Sequence, residues 1–188
     1  MSASFAASAE KQCYKIIFTG PVGAGKTTAI TSLSDEPAVT TDEQASDMTQ
    51  QRKQTTTVAM DYGVMNLGGD ERIHLYGTPG QERFNFMWDI LVEGGIGLIL
   101  LLDNTRSNPF QDLQFFLDAF NDFIENNKVI IGITFMDVQP SPSLQNYHQK
   151  LAELKCKVPV FEVDSREQED VATLVQALLY SHDPWLGV

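Results

Sequence analysis

An eight-residue segment, Gly20-Pro-Val-Gly-Ala-Gly-Lys26-Thr27, constrains the fold more than any other part of the sequence. It matches the phosphate-binding pattern G-x-x-x-x-G-K-[ST], and it lies between an apolar run of strand length and a segment with helical periodicity. Its glycines let successive backbone N–H groups point at phosphate oxygens, and the helix that follows favours negative charge at its N-terminus. Lys26 would supply charge to the outer phosphates, and the Thr27 hydroxyl would coordinate magnesium. The residues expected to contact the nucleotide here are Gly20, Val22, Gly23, Ala24, Gly25, Lys26, Thr27 and Thr28.

Strand-length apolar runs alternate with helical patterns along the chain. The sequence predicts strands at 13–19, 58–67, 71–76, 96–102, 129–134 and 158–163, and helices at 26–33, 85–92, 109–126, 143–155 and 170–180. Strands separated by helices indicate a parallel sheet covered on both faces. The Gly68-Gly69-Asp70 turn adds a single antiparallel strand. We therefore expect one α/β domain of three layers, with a mostly parallel six-stranded sheet.

The charge balance argues against one class of partner. The 188 residues include 13 Lys and Arg against 25 Asp and Glu, a formal net charge of -12. Such a surface repels nucleic-acid phosphates, so we expect no nucleic-acid binding. The apolar runs are too short for an integral membrane segment, and the two cysteines, Cys13 and Cys156, form no paired motif. These features predict a soluble, cytoplasmic protein.

Two further segments resemble the switch regions of a known family. Segment 74–84, HLYGTPGQERF, resembles the Asp-Thr-Ala-Gly-Gln-Glu stretch of Ras-like small GTPases, and segment 55–62, TTTVAMDY, resembles the end of their first switch. The Thr-Pro-Gly-Gln spelling is similar to the bacterial MglA-like branch, and segment 57–63, TVAMDYG, is similar to a related group of short prokaryotic GTPases. The resemblance implies a P-loop NTPase G domain over 13–188, preceded by a flexible N-terminus at 1–12. It also implies GTP or GDP as ligand, together with Mg²⁺.

The resemblance implies roles for single residues of the phosphate side. Thr57 would join Thr27 as a magnesium ligand and would bring its amide near the γ-phosphate. The Gly80 amide would bind the γ-phosphate, and Gln81 would orient the attacking water. The catalytic residues implied are thus Gln81, Lys26 and Thr57. Two of these interpretations have a simpler alternative. Gly80-Gln81 could form an ordinary turn, and Thr57 could be one of three threonines that favour a strand.

The base side of the site is implied by two later segments. Thr134-Phe-Met-Asp137 stands where the family has Asn/Thr-Lys-x-Asp, so Asp137 would accept hydrogen bonds from guanine. Ser165 and Arg166 lie in a segment that matches the last base-contacting loop. The ordinary alternative for Asp137 is a helix N-cap before Pro140.

Three residues depart from the family pattern. Gly77 replaces the aspartate that holds magnesium through water, which predicts weaker metal binding. Asp61 could supply a substitute anion, although a surface carboxylate at a strand end is the simpler interpretation. Phe135 replaces the lysine whose stem covers the base, and Val22 replaces a frequent glycine, which would crowd the attacking water and predicts slow hydrolysis.

Other residues of the two loops have further possible roles. Arg52 and Lys53 could supply transition-state charge from within the chain, although a solvated loop is the simpler interpretation. Phe84, Phe86 and Trp88 are expected to be exposed interface anchors, although Phe84 could pack inward.

Three functions fit these observations. The first is a molecular switch that hydrolyses GTP slowly, with loops 35–57 and 77–88 ordering around the γ-phosphate, a roadblock-type protein as activator and an unknown effector. The second is a pseudo-GTPase scaffold with little or no hydrolysis, which Gly77 and Val22 favour and which Gln81 and Thr57 oppose. The third, ranked last, is a small-molecule kinase, because the chain lacks the arginine-rich lid that such enzymes use.

Overall fold

The computed structural model describes residues 13–39, 60–69, 71–80 and 87–182. Its six strands are β1 (Cys13–Thr19), β2 (Asp61–Gly68), β3 (Glu71–Gly77), β4 (Gly97–Asp103), β5 (Lys128–Thr134) and β6 (Val160–Glu162). Its six helices are α1 (Lys26–Leu33), α2 (Trp88–Val92), α3 (Pro109–Ala119), α4 (Asn121–Asn126), α5 (Leu144–Glu153) and α6 (Gln168–His182).

The six strands form one sheet in the order β2-β3-β1-β4-β5-β6. All neighbouring pairs are parallel except β2 and β3, which form an antiparallel hairpin. The predicted mixed six-stranded sheet is thereby confirmed. Since parallel strands all end at one edge, the loops that follow β1, β4, β5 and β6 meet there.

Helices cover both faces of the sheet, so the fold has the three predicted layers. On one face, apolar side chains of α1 and α6 join those of the strands in a buried cluster. On the other face, α2, α3 and α5 contribute to a second cluster. The strands in the middle are buried on both sides, which explains their continuous apolar runs.

One predicted helix is divided in the structure. The sequence predicts a single helix over 109–126, but the chain leaves helical geometry at Phe120, which separates α3 from α4. Asn121 and Asp122 follow directly, and such side chains favour helix caps over helix interiors. The predicted apolar face is nevertheless confirmed, because Leu113, Phe116, Leu117 and Phe120 are all buried.

Most other boundaries agree within a few residues. Strand β1 and helix α1 have the predicted ends. Strand β6 is shorter than the predicted 158–163, since Pro159 has no N–H group to donate to a ladder. Parts of predicted segments at 58–59, 70 and 85–86 lie outside the described residues, as does the predicted N-terminal segment 1–12.

Candidate nucleotide-binding site

The loop between β1 and α1 has the tight backbone that its glycines predict. Gly20, Gly23 and Gly25 all have positive φ, with Gly25 capping the start of α1 at φ 90°. The backbone also approaches its neighbours closely. A methyl group added to Gly20 would lie 2.0 Å from the carbonyl oxygen of Leu101, so the first position of the motif has no room for a side chain. The amide of Ala24 closes a turn on the carbonyl of Pro21 at 3.2 Å.

Lys26 is buried inside this loop. Its ammonium group donates hydrogen bonds to the carbonyl oxygens of Gly20 and Pro21, both at 2.8 Å. Burial lowers the pKa of Lys26 to about 8, and the nearby negative charge of Asp61 opposes that shift. A cation held on carbonyls at the first turn of a helix is well placed to turn toward a polyanion.

Thr27 is tied to the second strand. Its hydroxyl donates a hydrogen bond to Oδ2 of Asp61 at 2.6 Å. Asp61 in turn lies directly opposite Gly77 in the β2–β3 ladder. Asp61 is half-buried at the start of β2, and its side chain contacts the first turn of α1.

The segment after β3 lies against the phosphate loop. The amide of Thr78 bonds to the carbonyl of Phe18 at 2.9 Å, and the hydroxyls of Thr78 and Thr19 share a buried hydrogen bond of 2.9 Å. A methyl group on Gly80 would lie 2.6 Å from the backbone nitrogen of Val22 and 2.9 Å from Nζ of Lys26. Gly80 thus lies against the loop between β1 and α1, and its contact with a γ-phosphate stays a prediction.

Trp88 anchors the far end of this segment in the core. Its side chain is 2% exposed and stacks on Phe116 and Phe120, with ring centroids 5.3 and 5.1 Å away. The indole N–H donates to the carbonyl of Pro79 at 3.2 Å. The prediction that Trp88 is an exposed interface anchor is wrong, because a hydrophobic pocket formed by α3 and Phe120 accepts the ring.

The loops after β5 and β6 form the other half of the site. Thr134 ends β5 and is buried, and its hydroxyl contacts the carbonyls of Ala24 at 3.3 Å and Leu102 at 3.1 Å. Ser165 is buried beside the same loop, where a methyl group on Gly25 would lie 2.5 Å from its hydroxyl oxygen. Within the described part of the chain, that oxygen is buried without a hydrogen-bond partner. Both predicted residues therefore lie at the phosphate loop.

Asp137 and Arg166 meet across the rim of the site. Arg166 lies 3.6 Å from a carboxylate oxygen of Asp137, and both side chains are mostly exposed. Arg166 also binds Asp164 through its side chain at 2.8 Å and its amide at 2.9 Å, and these hydrogen bonds lower the pKa of Asp164 to about 2. Exposed ion pairs contribute little free energy, so Asp137 can leave this pair for a ligand.

Phe135, which replaces a lysine of the family pattern, has an unusual backbone. It adopts φ 60°, a left-handed conformation that is rare for an aromatic residue, and the residue as a whole is 37% exposed. An aromatic ring that is accessible to solvent can stack on a flat base.

Asn104 and Tyr147 are buried residues that no sequence pattern singles out. Together they hold the loop that follows β5. Asn104, which follows β4, donates to the carbonyls of Gln139 at 2.6 Å and Pro142 at 3.1 Å. Its own oxygen accepts the hydroxyl of Tyr147 at 2.8 Å. Burial, which is the largest cause, raises the pKa of Tyr147 well above its ordinary value, so this donor stays protonated. No local motif marks Asn104 or Tyr147, because their partners are distant in sequence.

Several predicted residues cannot be placed. Thr57, Gln81, Phe84 and Phe86 lie outside the described residues, and so do Arg52 and Lys53. Val22 and Thr28 lie in the phosphate loop and the first turn of α1, both exposed. The roles assigned to Thr57 and Gln81 stay predictions.

The residues at the site fit a magnesium ion held with a nucleotide. Within 13–39, 60–69, 71–80 and 87–182, no group of three or more His, Cys, Asp or Glu side chains forms a metal cage. Magnesium typically binds through few protein oxygens together with phosphates and water, and the Thr27 hydroxyl beside the Asp61 carboxylate is an oxygen set of that kind.

The sheet order, the phosphate loop and the loops beside it define a P-loop protein with the fold of a G domain. A solved structure, the G domain of the FeoB iron transporter of T. maritima, matches with a TM-score of 0.64 at 20% sequence identity, covering 92% of this chain and 100% of that one. The chain belongs to the family described as conserved hypothetical ATP binding protein, whose model matches residues 35–178. That match begins after the phosphate loop, so the loop is an independent observation.

Curated relatives share low identity with this chain. An uncharacterized protein of Methanocaldococcus jannaschii is 27% identical over 124 residues, which cover 66% of this chain and 70% of that protein. The Ras-related protein RabC of Dictyostelium discoideum is 23% identical over 178 residues, which cover 90% of this chain and 84% of RabC. Neither comparison supports the MglA-like branch in particular. No helix in the described ranges is both long and apolar enough to cross a membrane.

Proposed function

We propose that this protein binds GTP, hydrolyses it slowly to GDP and acts as a molecular switch. The observation that carries the proposal is the approach of Gly80 to the backbone nitrogen of Val22 and to Nζ of Lys26. It brings a segment that resembles the second switch onto the loop that would hold the outer phosphates. Loss of the γ-phosphate would therefore remove a contact of the 77–88 segment and could change its conformation.

The choice of guanine rests on Asp137. This carboxylate is exposed and lies in a weak ion pair with Arg166, two residues after the exposed Phe135. A carboxylate can accept two hydrogen bonds from the N1–H and exocyclic amine of guanine, whereas adenine offers neither donor in that arrangement. The family description names ATP as the ligand, whereas the similarity to Ras-related proteins supports GTP. The base is therefore the first property to measure.

Magnesium would be held by the Thr27 hydroxyl together with phosphate oxygens, and Thr57 would complete the set in the GTP state. When bound, the ion would neutralise charge that develops on the phosphates during hydrolysis. Lys26 would turn from its carbonyl partners to the outer phosphates, and Gln81 would orient the attacking water.

A competition experiment tests the proposal. Nucleotide-stripped protein is incubated with equal GTP and ATP plus Mg²⁺, and the retained nucleotide is identified by chromatography over time. We expect GTP to be retained and converted slowly to GDP, and Lys26→Met to retain much less of either nucleotide. Retention of ATP would overturn the assignment of Asp137, and retention of nothing would overturn the nucleotide site itself.

A nucleotide-binding scaffold with little hydrolysis is the second candidate. It is favoured by the side chain of Val22, which is exposed in the phosphate loop, and by the absence of a carboxylate at Gly77. GTP that stays unchanged on the protein, even with an activating partner, would favour this candidate. Intrinsic turnover of about one per second or faster would contradict both the scaffold and the slow switch.

The partners follow from the resemblance to the MglA-like branch. We expect a roadblock-type protein to act as activator in the cytoplasm, and an effector of unknown identity to bind the GTP state. A roadblock-type protein that fails to accelerate hydrolysis or to bind the GTP-loaded chain would contradict the first expectation.

A further inference from the structure

We propose that a groove at the end of the sheet opposite the phosphate loop binds an acidic peptide segment of a partner protein, with Lys128, Lys155 and Lys157 as its charged contacts. Lys128 begins β5, whereas Thr134 ends that strand beside the phosphate loop. At about 3.3 Å per residue, the two ends of β5 are roughly 20 Å apart. This lysine groove is therefore separate from the nucleotide site.

The lysine groove consists of two cavities of about 640 and 610 Å³. The two cavities share one wall, segment 155–159, which joins α5 to β6. Apolar side chains complete the lining, with Leu151 of α5 in one cavity and Ile124 and Val129 in the other. A ligand that occupies both cavities must cross the shared wall. An extended chain segment can do so, whereas a compact small molecule would fill only one cavity.

Positive charge is concentrated at this groove in a chain that is otherwise strongly acidic. Residues 128–160 contain four lysines and two acidic residues, although the whole chain has a formal net charge of -12. Among the described residues that line the two cavities, Glu125 is the only acidic one. Burial raises the pKa of the Cys156 thiol, so this side chain adds no negative charge between its two lysine neighbours. The groove therefore attracts carboxylates.

The three lysines have no ionic partner within the described ranges. All three are exposed, and the ion pairs of that part of the chain use other basic residues, namely Arg72, Arg106, Lys150 and Arg166. Lysine stems can lie along apolar surface while their ammonium groups stay in water. A ligand with carboxylates can therefore pair with these ammonium groups without breaking an existing ion pair.

Lys155 occupies a backbone position that favours glycine. It has φ 55° at the C-terminal end of α5, where its amide bonds to the carbonyl of Ala152 at 3.1 Å. The next amide, that of Cys156, bonds to the carbonyl of Leu151 at 2.9 Å. This pair of hydrogen bonds typically ends a helix with glycine in the left-handed conformation. An exposed lysine there costs stability and fills no core, which is expected of a side chain that contacts a ligand.

The acidity of the remaining surface selects among anionic partners. A nucleic acid or an anionic membrane would extend beyond the groove and would be repelled by the acidic surface around it. A second copy of this chain would bring its own net charge of -12. A short segment with carboxylates between apolar side chains can contact the lysines and the apolar walls together, as peptide ligands of basic clusters do.

The test selects binders from a library of random peptides displayed on phage, with the full chain as bait. The variant Lys128→Gln/Lys155→Gly/Lys157→Gln serves for counter-selection. We expect the enriched peptides to be acidic with interspersed apolar residues. One of them, synthesised with a fluorophore, should bind this triple variant about 10–100-fold more weakly, at about two- to fivefold for each lysine. Arg72→Gln is the matched control, because it removes a positive charge outside the groove, and it should bind like the parent chain.

Lys155→Gly separates a binding role from a structural one. Because glycine adopts the left-handed conformation without strain, we expect an unchanged or higher midpoint of urea denaturation together with a two- to fivefold loss of peptide affinity. Raising the salt concentration from 0.1 to 1 M should weaken binding to the parent chain, since the screening length falls from about 10 to about 3 Å. Lys155→Gly that is less stable and binds the peptide as tightly as the parent would assign the lysine to folding instead.

Other outcomes would also overturn the proposal. A selection that enriches no acidic peptide would do so, as would peptides that bind the triple variant as tightly as the parent chain. Binding of phosphatidylserine vesicles or of single-stranded RNA, or dimerisation in sedimentation velocity, would assign the groove to another partner if the triple variant lost it. None of these measurements requires nucleotide, so a failure of the proposed function would be recognised separately.

Discussion

The indole nitrogen of Trp88 donates a hydrogen bond to the carbonyl oxygen of Pro79 at 3.2 Å. Pro79 immediately precedes Gly80, whose backbone lies against the phosphate loop. The ring itself is buried against Phe116 and Phe120. This hydrogen bond therefore connects the residue next to Gly80, which is expected to contact the γ-phosphate, with the hydrophobic core that packs against α3.

The fluorescence of Trp88 should depend on whether GDP or GTP is bound. In a Trp185→Phe background, which removes the other tryptophan, we expect the emission of Trp88 to differ between the GDP complex and a complex with a non-hydrolysable GTP analogue. The reason is that a shift of Gly80 would alter the bond to Pro79. Fluorescence spectra measure this directly, and Trp88→Phe removes the signal. Identical spectra in the two states would contradict the proposed coupling.

Nucleotide affinity should fall with rising pH because of Lys26. Its pKa is lowered to about 8 in the nucleotide-free protein, so the lysine gives up its proton above that pH, and phosphates must bring the proton back. We expect binding to weaken about tenfold between pH 7 and pH 9. Lys26→Met should bind weakly and lack this component. Since titration of the base affects both proteins equally, parallel pH profiles would contradict the prediction.

Thr134→Val should weaken the connection between β5 and the phosphate loop. The variant keeps the shape of the side chain and loses the contacts with the carbonyls of Ala24 and Leu102. We expect a loss of about 1–3 kcal/mol in the free energy of unfolding and weaker nucleotide binding. Urea denaturation and equilibrium binding measure the two effects. Thr134→Ser, which keeps the hydroxyl, is the control, and equal losses in both variants would mean that the methyl group matters instead.

Tyr147→Phe should affect the base side and leave the phosphate side unchanged. It removes the donor to Asn104, which holds the loop that carries Asp137. We expect a destabilisation of about 1–3 kcal/mol, together with weaker binding of GDP but unchanged binding of pyrophosphate. Tyr62→Phe, which removes a hydroxyl contact with His74 on the hairpin, is the matched control. Equal losses for GDP and pyrophosphate would contradict the assignment of this loop to the base.

The sequence predicts the fold well because its strongest signals are local. The phosphate motif, the alternation of strands and helices and the glycine turn of the hairpin all depend on neighbours in the chain, and β1 and α1 begin and end where predicted. The apolar face of α3 is also correct.

The errors and omissions depend on distant contacts. The expected exposure of Trp88 rests on its place in the segment that resembles the second switch, but the pocket that buries it comes from α3 and Phe120. Asn104 and Tyr147 are 43 positions apart, and no sequence pattern joins them. The hydrogen bond between Thr27 and Asp61 likewise joins residues 34 positions apart.

The hairpin register has a consequence for chain length. The ladder contains an irregularity between Asn66 and Gly68, just before the turn that precedes β3. A slip of one residue reverses the face on which every side chain of a strand projects, so it would turn Asp61 away from Thr27. The number of residues in the hairpin thus decides whether the Asp61 carboxylate can reach the Thr27 hydroxyl. A single deletion or insertion near Gly69 should therefore act at a distance, like a substitution of Asp61 itself.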